Sequence, residues 1–105
     1  NALEAGARFI LIMGGSGFGV GNYAPEVVRS IIEVEIPGIA EQIRAHGLAN
    51  TPLSPLSREV VGVTARDASG ALIISSPGSR GGALDTLEVV TPLLPAIFHQ
   101  LDEQR

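Results

Sequence analysis

FILIMGGSGFGVGNYAPE, residues 9–26, is the stretch whose reading decides the fold. Its first five residues, Phe9 to Met13, are apolar without alternation. That pattern suits a strand buried on both faces, as in a parallel sheet, and the strand is read as Arg8 to Met13. The run stops at Gly14-Gly15-Ser16-Gly17, and Pro25-Glu26 opens a helical pattern. Proline fits the first helical position, where its missing N–H costs nothing, and Glu26 suits the positive helix end. The unit is therefore strand, glycine-rich loop, helix. In open α/β sheets such loops lie at the carboxyl ends of strands, where ligands bind. Glycines let backbone N–H groups approach a ligand, successive N–H groups beside a helix N-terminus attract anions, and Ser16 adds a hydroxyl. A tight connection without a ligand is the competing reading. The stretch is neither a Walker loop, since no Gly-Lys-Ser/Thr follows, nor the dinucleotide fingerprint, whose glycine spacing and acidic residue are missing.

Working outward, 105 residues with 45% hydrophobic content make one folded domain, spanning residues 1–105. A net charge of −4 argues against a general nucleic-acid surface. The seven basic residues are all arginine, which carries no mechanism by itself. The lack of cysteine excludes disulfides and thiolate metal sites and fits a cytoplasmic protein. No apolar run approaches the length of a membrane span, and no signal peptide is visible. No metal-ligating set is assigned.

Asn1 to Gly6 reads as the last turn of a helix capped by Gly6. The helix from Pro25 carries Val27, Val28, Ile31, Ile32 and Val34 at near-helical spacing until Pro37-Gly38 breaks it. Ile39 to Ala45 forms a shorter helix stopped by Gly47. Asn50 to Leu56 is a loop with a helical turn. Glu59 to Thr64 is either a strand or part of a short helix capped by Ser57, and periodicity leaves both open. After the Asp67-Ala-Ser-Gly70 turn, Ala71 to Ser75 is a second buried strand, ending in the loop Pro77-Gly-Ser-Arg-Gly-Gly82. A helix follows from about Ala83, interrupted by Pro92 and Pro95, and Ala96 to Leu101 ends the chain as a helix. If the two strands are parallel neighbours, Gly14 to Gly17 and Pro77 to Gly82 face one pocket. Ser57-Arg58 is a third candidate, since arginine grips phosphate or carboxylate with a planar fork.

Met13-Gly-Gly-Ser-Gly-Phe18, Ala24-Pro-Glu26, Glu35-Ile-Pro-Gly38, Leu56-Ser-Arg58 with Val61-Gly-Val63, and Pro77-Gly-Ser79 occur in that order. The pattern resembles the molybdopterin-binding domain of molybdenum cofactor biosynthesis proteins, including the molybdopterin adenylyltransferases. Each motif is weak alone; together they cover nearly the whole chain. The resemblance implies a three-layer α/β domain with a mainly parallel sheet and helices on both faces, cytoplasmic and usually trimeric. It implies molybdopterin as the bound substrate, and in active relatives ATP with Mg²⁺ for adenylylation. Gly14, Gly15, Ser16, Gly17, Pro25, Glu26, Ser57, Arg58, Pro77, Gly78 and Ser79 would line the binding pocket. A strand, a helix and an acidic loop would precede this segment, so the chain is expected to lack an N-terminal strand–helix portion. A non-catalytic binding or oligomerisation module of the same fold is the alternative. A nucleotide-hydrolysing family of this fold, the competence-damage-associated pyrophosphatases, is a distant third.

The chain departs from the family pattern at two places. Met13 and Ser16 stand where the family loop usually has threonine. Asn22 stands at the catalytic position where active members carry an aspartate, so it supplies an amide but no negative charge. The remaining polar residues have simpler readings: His46 suits a helix end, His99 sits on the terminal helix, and Asp85 and Glu88 are read as a solvated face one turn apart.

Overall fold

The computed structural model describes residues 8–15 and 19–103. The expected N-terminal helical turn, Asn1 to Gly6, and the loop residues Ser16 and Gly17 lie outside the described residues. The strands are β1 (Phe9–Met13), β2 (Val34–Glu35), β3 (Val61–Val63) and β4 (Leu72–Ser76). The helices are α1 (Ala24–Ile31), α2 (Pro37–Gly47), α3 (Arg80–Val90) and α4 (Leu94–Asp102).

The sheet order is β1-β4-β3-β2. β1 pairs with β4 in parallel, Phe9 opposite Leu72 and Met13 opposite Ser76. β3 runs against both β4 and β2. Three strands thus share one direction and β3 opposes them, which makes the sheet mixed in its pairings. α1 covers one face, where Val28 meets Val60 and Ile73. α2, α3 and α4 cover the other, where Ile39, Ile43, Val90 and Leu101 meet Val61, Val63, Leu72 and Ile74. The strand residues divide between the faces by period-two alternation.

β4 is buried along its whole length, as its apolar run implies. β1 is less enclosed than expected: Phe9 to Ile12 are half-buried and Met13 is exposed. Among the described residues β1 is an edge strand, with β4 as its single neighbour.

The long helix read from Pro25 to Val34 needs correction. α1 ends at Ile31, Ile32 is extended, and Val34–Glu35 form β2. Glu33 N donates to Val63 O at 2.9 Å and Ile36 N to Val61 O at 2.7 Å. The β-branched residues Ile32, Val34 and Ile36 favour this pairing, and the residue before a proline resists the helical region. Pro37 then opens α2 instead of ending a helix. The open choice at Glu59 to Thr64 resolves as a strand. Gly62 permits it, because a Cβ there would lie 2.6 Å from Val34 O and 2.7 Å from Ile32 Cδ1.

α3 begins at Arg80, three residues before the expected start, because Ser79 caps it by accepting from Gly82 N at 3.0 Å. A 3₁₀ turn, Thr91–Leu93, separates α3 from α4, as the two prolines imply. Residues 80–102 together reach the length and mean hydropathy (1.2) of a membrane span, which the sequence reading did not find. The turn interrupts that stretch, and Ala83, Thr86, Val90 and Leu101 are buried in the fold.

Candidate functional site

The parallel pairing of β1 and β4 brings their carboxyl ends to one edge of the sheet. Gly14 N donates to Ser76 O at 2.9 Å, so the two loops leave the strands side by side. Their backbones nearly touch: a Cβ on Gly78 would stand 3.2 Å from Gly14 Cα. Gly14 and Gly15 adopt φ of 96° and 69°, a region that other residues enter at a steric cost. Gly15 O accepts from Ala24 N at 3.1 Å, which ties the loop to the start of α1. Pro25 is buried in the first turn of that helix. The Pro77–Gly82 loop enters α3 through the Ser79 cap, so the Ser79 hydroxyl already serves the helix N-terminus.

The Arg58 fork, a candidate grip for a ligand, meets protein groups in this structure. Its Nη1 donates to Glu26 Oε2 at 2.7 Å, and its Nη2 donates to Glu26 Oε1 at 3.2 Å and to Asn22 O at 2.7 Å. The arginine therefore clamps the first turn of α1 to the segment that carries Asn22. The hydrogen bond from Arg58 holds the Glu26 carboxyl below its usual range. Asn22 N donates to Gly19 O at 3.1 Å, closing a turn that fixes the residue.

Beside this edge lies a cavity of about 580 Å³, bounded by α2, residues 50–57 and the Pro77–Gly82 loop. Of the expected site residues, Ser57, Pro77 and Ser79 line it; Gly14, Gly15, Asn22, Pro25, Glu26 and Arg58 do not. The two groups join through the Ser57–Arg58 and Pro77–Ser79 steps. Ser57 Oγ is buried and has no hydrogen-bond partner among the described residues.

Two acidic residues of the cavity were missed from the sequence. Glu59 is 5% exposed, and burial raises its carboxyl to a pKa of about 7. The nearby Asp85 charge raises it further, while Thr86 and Arg44 oppose the shift. Thr86 Oγ1 lies 3.2 Å from Glu59 Oε2 and 2.9 Å from Gly82 O. When the hydroxyl donates its hydrogen bond to the Gly82 carbonyl, a protonated Glu59 can donate to the hydroxyl oxygen. Asp85, read as part of a solvated face, is 6% exposed and accepts from Asn50 Nδ2 at 2.9 Å. The correction follows from α2 packing over that side of α3. Glu88 is exposed and pairs with His46, in the last turn of α2, at 2.7 Å. The one sequence signal for Glu59 was its place directly before the β-branched run Val60-Val61.

Comparison with known proteins agrees with this architecture. The family described as a probable molybdopterin binding domain matches residues 1–96. A molybdenum cofactor biosynthesis bifunctional protein from Synechococcus elongatus is 32% identical over 94 residues, 90% of this chain and 28% of that protein. A molybdopterin adenylyltransferase from Haemophilus influenzae is 33% identical over 87 residues, 83% of this chain and 42% of that protein. The structure of a putative molybdenum cofactor biosynthesis protein from Corynebacterium diphtheriae superposes with a TM-score of 0.87 at 44% identity, covering 96% of this chain and 62% of that one. The chain spans less than half the length of the curated relatives it matches. With the family match running across nearly the whole sequence, this chain belongs to the probable molybdopterin binding domain family.

Proposed function

We propose that this chain binds molybdopterin and serves molybdenum cofactor biosynthesis, with the pterin phosphate held where Gly14–Gly15 meet Pro77–Ser79. The observation that carries this reading is the parallel β1–β4 pair, which lays the two glycine-rich loops and the N-terminus of α3 along one edge. Backbone N–H groups and a helix N-terminus attract an anion there. The adjoining cavity, apolar with a few polar groups such as Ser57 and Glu59, has the volume and character of a site for a ring system. The names of the relatives, a molybdopterin adenylyltransferase and a cofactor biosynthesis protein, support a biosynthetic role over a purely oligomerising module. A cytoplasmic location and a homo-oligomer, by resemblance a trimer, belong to the same reading. Light scattering that found a folded monomer at about micromolar concentration would contradict the oligomer.

Active relatives are expected to use ATP and Mg²⁺, and the described residues at this edge do not fit a magnesium site. Magnesium is held by carboxylates and waters. Asn22 is neutral, and both oxygens of Glu26 are taken by Arg58. The chain therefore binds molybdopterin with slow AMP transfer. Loss of one preorganised electrostatic contact commonly costs about 10²–10³ in rate. Asn22→Asp, compared with the unsubstituted protein in full-length background, should raise formation of adenylylated molybdopterin toward that factor. Equal turnover of the two forms would remove Asn22 as the cause.

A further inference from the structure

Away from the glycine-loop edge, α2 and α3 meet through a polar group of three residues. His46 ends α2, and Asp85 and Glu88 stand one turn apart on α3. His46 Nε2 lies 2.7 Å from Glu88 Oε2 and 3.7 Å from Asp85 Oδ1. One ligand atom from each residue lies within 4.8 Å of the others. We propose that His46, Asp85 and Glu88 bind one divalent transition-metal ion of the zinc or manganese class, which cross-links α2 to α3.

The spacing suits such an ion. Tetrahedral ligands about 2.1 Å from zinc stand about 3.4 Å apart, and the two contacts of His46 bracket that value. Seating the ion opens the Glu88 contact of His46, closes its Asp85 contact and draws together carboxylate oxygens that stand within 4.8 Å, movements within reach of the exposed Glu88 side chain. The donors select the metal class: one imidazole nitrogen with two carboxylates suits zinc or manganese better than an all-oxygen cation site does. The charges point the same way. Two carboxylates converge at the carbonyl end of α2, where the helix dipole is negative. A proton on His46 offsets one negative charge; a divalent ion offsets both.

The support around the ligands is also present. Asn50 Nδ2 donates to Asp85 Oδ1 at 2.9 Å and so orients the buried carboxylate, the part that outer-shell partners play in metal sites. The side chains of His46 and Glu88 are 38% and 64% exposed, which leaves a path for the ion and room for water to complete its shell. Asp85 also lines the cavity, so the ion would stiffen the cavity wall without being the magnesium of nucleotidyl transfer.

The test uses the full-length protein without a histidine tag, stripped with chelator and titrated with ZnCl₂ and, separately, CoCl₂. Calorimetry should give one saturable site per chain, and cobalt should develop a visible absorption band. His46→Gln and Glu88→Gln should each weaken zinc binding by at least about 10-fold, and zinc should raise Tm in the unsubstituted protein alone. His99→Gln, which changes the other histidine of the chain, should leave the affinity unchanged. Absence of saturable binding would reduce the group to a histidine–carboxylate ion pair and overturn the proposal. So would equal affinity in His46→Gln and Glu88→Gln, or loss of binding in His99→Gln.

Discussion

Glu26 and Glu59 lie on either side of the Ser57–Arg58 step, and their carboxyls are shifted in opposite directions. Glu26 is half-exposed at the glycine-loop edge, and the fork of Arg58 keeps it ionised. Glu59 is buried against the cavity, and loss of water pushes its carboxyl up to about 7. One residue type thus gives a charged strut on one side and, on the other, a buried carboxyl that keeps its proton until the pH nears about 7. The difference lies in what surrounds each carboxyl: a guanidinium in reach of solvent, or burial beside Thr86 with Asp85 nearby.

The largest test of the contrast is Glu59→Gln. A folded-state pKa raised from 4.5 to about 7 means the native chain holds the proton more tightly than the unfolded one. The stability from that proton is full below pH 4.5 and is lost as pH rises through about 7. The loss amounts to roughly 3 kcal/mol, taking about 1.4 kcal/mol per unit. Urea melts across pH 5 to 8 should show the unsubstituted protein weakening while Glu59→Gln stays flat; parallel profiles would mean that Glu59 is ionised throughout. Glu26→Gln should act less and on the other side of the scale. Its lowered pKa stabilises the fold above pH 4.5, and this is lost as pH falls further. The variant should flatten the acid limb of the same profile and leave its neutral limb unchanged. A change at neutral pH instead would show that the clamp to Arg58 does more than hold charge.

Much of this arrangement was legible in the residues. The apolar runs before Gly14 and before Pro77 marked β1 and β4, and their loops marked the edge. Pro92 and Pro95 marked the break before α4. What failed was local pattern against tertiary pairing. Val27 to Val34 has helical spacing, but Val34 and Glu35 pair with β3, a partner far away in sequence. The burial of Asp85 depends on where α2 lands and leaves no trace in neighbouring residues; the state of Glu59 depends on the cavity beside Pro77–Gly82, and only the run Val60-Val61 hints at its burial. Arg58 stands out in the sequence as a candidate site residue, but its partner does not, because the bond to Glu26 spans 32 positions.

The glycine-loop edge and the cavity beside it are proposed to form one molybdopterin site, set in place by the Arg58 clamp. Titration of the purified protein with molybdopterin tests it most directly, beside Arg58→Ala. The account expects saturable binding to one site per chain, weakened about 10- to 100-fold by Arg58→Ala, the range for loss of charge-assisted hydrogen bonds. Failure of the unsubstituted protein to bind, or an affinity unchanged by Arg58→Ala, would contradict it.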